Sequence, residues 1–192
     1  MIFKLKYDTP KEWAIEAIKD IDSFLQDHAD AERKVANMCL SLIAKYPNKH
    51  EIIDELIQIS VEELMHFRQV HELIRYRGDV LNGVFQKDPY IKGLLSIVRS
   101  DSELLFMDRL IIASVAELRG SERFKLIGEV IDDPKISKFY LNLHKQELEH
   151  IDSFIKMAKI YFDSDLVNKR VDEILEQEAK VTESLPWRSA IH

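Results

Sequence analysis

A chain of 192 residues has room for one well-packed domain, and its net charge of −7 disfavours non-specific attraction to nucleic acid or anionic membrane, while leaving a local basic patch possible. Five Gly and five Pro, with long stretches free of both, favour long helices over many strands. One cysteine, Cys39, excludes an intrachain disulfide. The start "MIFKLKYDTP" lacks a secretory apolar core, and no apolar run approaches the ~20 residues of a membrane span. The expectation is a cytoplasmic protein with no membrane segment, folded as a single domain over residues 1–192.

Helix punctuation can be followed in chain order. A first helix is expected near 10–46, with a break admitted around Asp20–Asp22, ending at "YPNKHE". Asn48, with Glu51 three residues on, is expected to cap a second helix over 49–77. Gly78 then stands where a helix C-terminus needs a left-handed residue. Residues 78–100 form a long crossover with a short helix after Asp88–Pro89. Ser100 and Glu103 are at capping-box spacing before a third helix over 101–131. Asp133 and Pro134 open a fourth over 134–162, and "YFDSD" separates it from a fifth over 165–184. Three short joints and one long crossover between helical hairpins predict an all-α, ferritin-like four-helix bundle with an additional C-terminal helix.

Each bundle helix carries an apolar seam at alternating four-three spacing, and each seam is interrupted. The first runs Ile21, Leu25, His28, Glu32, Val35, Cys39, Leu42. The second runs Ile52, Leu56, Ile59, Glu63, His66, Val70, Leu73. The third passes Ala113, Glu117 and Gly120, and the fourth Leu143, Glu147, His150 and Phe154. Glu63 to Glu147 and His66 to His150 are both 84 residues, so the halves read as two copies of one hairpin carrying Glu, then Glu-x-x-His.

Four buried carboxylates at one level cannot all stay ionised without compensation, because desolvation and mutual repulsion favour protonation. Two divalent cations would cancel those charges, and two neutral imidazoles would complete the ligand set. Glu32, Glu63, His66, Glu117, Glu147 and His150 therefore match the carboxylate-bridged di-iron or di-manganese pattern. Donors of this kind, with no thiolate, suit iron or manganese better than structural zinc. A lone Glu-x-x-His is usually a solvated pair; four matched interruptions at repeat spacing are not. His28 reads as a hydrogen-bonded core histidine, Cys39 as a small buried hydrophobe, and Glu62 and Glu149 as solvated neighbours.

At these residues the sequence resembles the tRNA 2-methylthio-N6-isopentenyladenosine hydroxylases, a family of ferritin-like di-iron monooxygenases. The likeness is carried by "FLQDHADAERKVA" (Phe24–Ala36), "EELMHFRQV" (Glu62–Val70), "ELRGSERF" (Glu117–Phe124) and "QELEHIDSF" (Gln146–Phe154), and extends at lower density over roughly residues 10–185. It implies the same six metal ligands, with Glu63 and Glu147 bridging and Glu32 and Glu117 terminal. Leu118, Gly120 and Leu148-Glu149 depart from the family pattern at positions expected to flank the cavity.

The resemblance also implies a modified tRNA substrate, O2 as co-substrate, and an external electron donor of reductase or ferredoxin-like type. No flavin, nicotinamide or Cys-rich cluster motif is visible in the chain. Candidate phosphate contacts are Arg68, Arg75, Arg77, Lys87, Arg119 and Arg123, with Lys92 and Lys125 nearby. Some of these, Arg119 first, are alternatively expected to pair with buried carboxylates. Competing classes are an iron-handling, peroxide-reducing or manganese-catalase-type protein, and a metal-free helical interaction module.

Overall fold

A computed structural model of the chain describes residues 3–83 and 88–192. Among them there is no strand. The α-helices are α1 (Lys11–Ala17), α2 (Ile21–Lys45), α3 (Ile53–Tyr76), α4 (Pro89–Leu95), α5 (Ser102–Val130), α6 (Pro134–Tyr161) and α7 (Ser164–Ser184). Short 3-10 turns at Ile18–Asp20 and His50–Ile52 precede α2 and α3.

The break admitted near Asp20 is the first of these turns. Asp20 leaves helical conformation (φ −130°, ψ 69°), and its carboxylate accepts a hydrogen bond from Ser23 N to start α2. Asp88, Asp101, Asp133 and Asp163 start α4 to α7 in the same way, each accepting two backbone N–H groups. Two capping expectations are corrected. Asp101 replaces Ser100, because its carboxylate reaches the N–H groups of both Glu103 and Leu104. Asn48 caps nothing, because the chain enters α3 through a 3-10 turn in which Ile52 N donates to the Lys49 carbonyl (3.3 Å). Gly78 behaves as expected: at φ 81° it closes α3, with Gly78 N donating to Arg75 O and Asp79 N to Ile74 O.

The helices fall into two compact units, divided within α1 between Ile15 and Glu16. In one, α2 and α3 pack as a hairpin. Ser60 Oγ donates across it to Ala36 O (3.1 Å), and Arg77 grips Asp22 at two points (2.7 and 3.0 Å).

In the other unit, α5 and α6 form the corresponding hairpin. Ser114 Oγ donates to Ile151 O (2.6 Å) and Ser121 Oγ to His144 O (2.9 Å). Helix α7 packs on α5 and α6, and α4 packs on α7 and α5. That extra cover buries 18 of the 29 residues of α5, far more than a single seam requires. It also brings polar side chains inside. Asp108, fully buried, accepts from Arg99 and Arg170 (Arg170 Nε–Oδ1 2.9 Å). Burial alone would raise the Asp108 pKa, yet the two guanidiniums hold it below its usual value.

Candidate metal centre

In the α2–α3 hairpin, the Ser60–Ala36 bond sets a register that brings Glu32 level with the turn from Glu63 to His66. All three are buried, at 5%, 1% and 5% exposure. Each presents a ligand atom, and those atoms lie within 4.8 Å of one another. His66 Nδ1 is 3.5 Å from Glu63 Oε2 and 3.8 Å from Glu32 Oε2. Two carboxylates and an imidazole converging in a dry interior form a donor set fit for a divalent metal, with no thiolate to favour a softer ion.

The α5–α6 hairpin repeats the arrangement. Glu147 and His150, one turn apart on α6, are buried, with His150 Nδ1 2.9 Å from Glu147 Oε2. Ser114 stands opposite Ile151 and Ser121 opposite His144, so residue 117 is level with residue 148. Buried Glu117 thus shares the level of the Glu147–His150 turn. The polar ties themselves recur: Ser60 and His144 are 84 residues apart, as are Glu63 and Glu147. The seam pattern therefore identified buried carboxylates and imidazoles in both hairpins.

His28 is where the repeat fails. It is fully buried and its Nε2 hydrogen-bonds Glu32 Oε1. The residue one turn before Glu117 is Ala113, which cannot do this. The core histidine expected from the sequence thus has a specific task, orienting a candidate ligand, and the broken repeat was its signal. A residue holding a ligand typically affects metal affinity by about 10- to 100-fold. His28→Ala should weaken metal binding by that amount in a chelator-competition titration, with His28→Gln recovering part of it. Parent affinity in His28→Ala would refute the assignment.

The basic residues sort by burial. Arg119 and Arg123 are corrected as phosphate contacts: at 0% and 5% exposure they belong to the interior, and Arg119 follows the alternative expectation by pairing with buried Glu178. All five N–H groups of Arg119 are used, on Glu178, Glu122, Thr9 and the Tyr7 carbonyl. Burial would depress its pKa, but Glu178 more than offsets this and holds the pKa above the usual arginine value. Arg123 lies over the Trp13 ring (4.5 Å), and burial, then the neighbouring Arg119, pushes its pKa down to about 10. Arg77 is exposed but gripped by Asp22, and Lys125 is 3.8 Å from Glu129. Lys87 lies outside the described residues. Arg68, Arg75 and Lys92 are exposed.

Sequence reasoning missed Glu178, which is fully buried on α7. Its signal was available. Val167, Val171, Ile174, Glu178 and Val181 repeat the four-three spacing with one acidic interruption.

The family model described as tRNA-(MS[2]IO[6]A)-hydroxylase (MiaE) matches residues 1–192. A Pseudomonas putida protein named tRNA 2-(methylsulfanyl)-N(6)-isopentenyladenosine(37) hydroxylase is 32% identical over 176 residues, covering 92% of this chain and 85% of that protein. A Salmonella typhimurium protein of the same name is 25% identical over 200 residues, covering 79% and 73%. Among solved structures, a Synechococcus protein with aldehyde deformylating oxygenase activity superposes with a TM-score of 0.92 at 26% identity, covering 98% of this chain and 94% of that one. The fold is all-α and ferritin-like, as the helix punctuation and crossover predicted.

Proposed function

This chain belongs to the tRNA-(MS[2]IO[6]A)-hydroxylase (MiaE) family, and we propose that it hydroxylates the isopentenyl group of 2-methylthio-N6-isopentenyladenosine beside the anticodon of tRNA. The observation that carries the reading is the buried Glu32–Glu63–His66 cluster, repeated in kind by Glu117, Glu147 and His150, in a chain matched by the family over its whole length. These six residues would hold two metal ions. Residues 1–192 are proposed to act as one functional domain, the span that the family model matches.

Iron is the metal proposed, and manganese fits the same donors. When bound, the metal pair supplies the reductive activation of O2 that an unactivated C–H bond requires. One oxygen atom enters that bond and the other leaves as water, consuming two electrons and two protons. With one cysteine in the chain, the electrons come from a separate reductase or ferredoxin-like protein. The chain's own residues hold the charge and exclude water. Four carboxylates and two imidazoles set the donor geometry, while flanking seam residues such as Ile59, Val70, Leu143 and Phe154 are buried and apolar. The compartment is that of its substrate, the cytoplasm; no helix among the described residues is long and apolar enough to cross a membrane.

The test is incubation of the reduced, iron-loaded protein with tRNA carrying the methylthio-isopentenyl nucleoside, isotopically labelled O2 and a competent electron donor. Nucleoside mass spectrometry should detect one labelled oxygen on the isopentenyl group. Unlabelled or unmodified product from authenticated di-iron protein would sink the assignment. Iron-handling or peroxide-consuming chemistry on the same donors would show no salt-dependent binding of modified tRNA.

A further inference from the structure

Helix α3 carries a second stripe besides its ligand seam. Ile57, Val61, Leu64, Arg68, His71 and Arg75 follow one another at spacings of four, three, four, three and four, so they share a face. The seam through Leu56, Ile59, Glu63, His66 and Val70 lies roughly opposite. Ile57, Val61 and Leu64 are 46%, 51% and 48% exposed, and Arg68 and Arg75 are exposed as well. The stripe thus changes character halfway, from apolar to cationic.

The cationic half differs in one respect from five arginines elsewhere in the molecule. Arg33, Arg77, Arg99, Arg119 and Arg170 are each held by a carboxylate of the same chain. Arg68 and Arg75, by contrast, join no ion pair among the described residues, although the chain carries 34 acidic side chains. At 1.5 Å rise per residue their backbones are about 10 Å apart along the helix, so the two guanidiniums address different anionic groups. Beside them, His71, Arg75, Gly78, Asp79, Val80 and Leu81 line an open depression of about 490 Å³. Its one carboxylate, Asp79, accepts from Gln26 Nε2 (3.1 Å) and from Val80 N (2.8 Å).

From this we infer that the Arg68–His71–Arg75 face of α3, with the adjoining depression, is where the phosphate backbone of the tRNA substrate docks. The inference rests on the proposed function and narrows it to one surface. An acidic chain repels a polyanion except where cations are free of internal partners, and repeated anions along one strand match cations repeated along one helix face. Contacts of this kind set register and orientation and carry no base recognition themselves. The apolar half, Ile57 to Leu64, lies alongside without competing for phosphate.

The test is direct binding of modified tRNA to the full-length, iron-loaded protein across a salt series. Arg68→Ala/Arg75→Ala should weaken binding by about 10-fold near 0.1 M salt and flatten the log–log salt slope by roughly 1.5 to 2. Arg68→Lys/Arg75→Lys should recover part of both, since a point charge still meets phosphate. Lys180→Ala, which removes an exposed charge from α7, should change neither. Unaltered affinity and slope in the double alanine variant would overturn the inference. So would a variant that binds tRNA normally but turns over more slowly only with a protein electron donor, which would assign the face to that donor. If the parent protein itself binds no modified tRNA, the proposed function falls, and this surface with it.

Discussion

Glu147→Ala should lower hydroxylation of modified tRNA by at least about 100-fold and leave fewer than two irons per chain. Glu147 is 1% exposed, sits one turn from His150 with 2.9 Å between its Oε2 and His150 Nδ1, and is one of the proposed ligands. Alanine removes a charge and both donor oxygens without disturbing the helix, since it is the best helix former. The effect should also be visible without turnover. A metal held at 1,000 times its dissociation constant stabilises the parent by about 4 kcal/mol, a rise of roughly 8–16 °C in Tm for a chain of this size. Most of that metal-dependent rise should vanish in Glu147→Ala. Glu149→Ala, two residues on and exposed, should retain both irons and the full Tm response. Two irons per chain and parent activity in Glu147→Ala would refute the ligand assignment.

The second large effect is on folding rather than chemistry. Glu178→Ala strips fully buried Arg119 of a two-point ion pair (Nε–Oε1 2.7 Å, Nη2–Oε2 3.0 Å), and leaves the Tyr90 and Thr182 hydroxyls without the carboxylate to which they donate. Breaking one side of a buried pair typically costs about 3–5 kcal/mol, because the remaining charge stays desolvated. The expected fall in Tm is roughly 6–20 °C. Replacing both partners by apolar residues, Arg119→Met with Glu178→Leu, should recover much of the loss, since neither partner is then left as an unpaired buried charge. Thermal unfolding of the three variants checks this. A Glu178→Ala protein melting within about 1 °C of the parent would show that Arg119 finds another partner.

These two experiments probe parts of the molecule that the sequence revealed unequally. Glu63 and His66 were legible as polar interruptions of an otherwise apolar stripe, and their recurrence 84 residues later made the pair hard to read as surface decoration. Glu178 interrupts a stripe in the same way, but α7 has no counterpart in the repeat to draw notice to it. Arg119 illustrates the reverse difficulty. It was legible both as a candidate phosphate contact and as a partner for buried carboxylates, and only the packing of α7 and the N-terminal residues onto α5 decided between them. Charge in a sequence does not reveal which side of a helix will be covered, because a fifth helix can bury a face that amphipathicity alone would leave in water.

The sequence by itself determined the helix boundaries to within a few residues, the duplicated hairpin, and the burial of Glu32, Glu63, His66, Glu117, Glu147 and His150. The physical reason is locality: caps, helical periodicity and repeat spacing are all written within one or two turns of chain. Tertiary structure alone decided that Asp101 rather than Ser100 opens α5, that His28 holds Glu32, that Arg119 and Arg123 are interior, and that Arg68 and Arg75 join no ion pair among the described residues. Each of those outcomes depends on which backbone or charge arrives from elsewhere, and no local spacing encodes it.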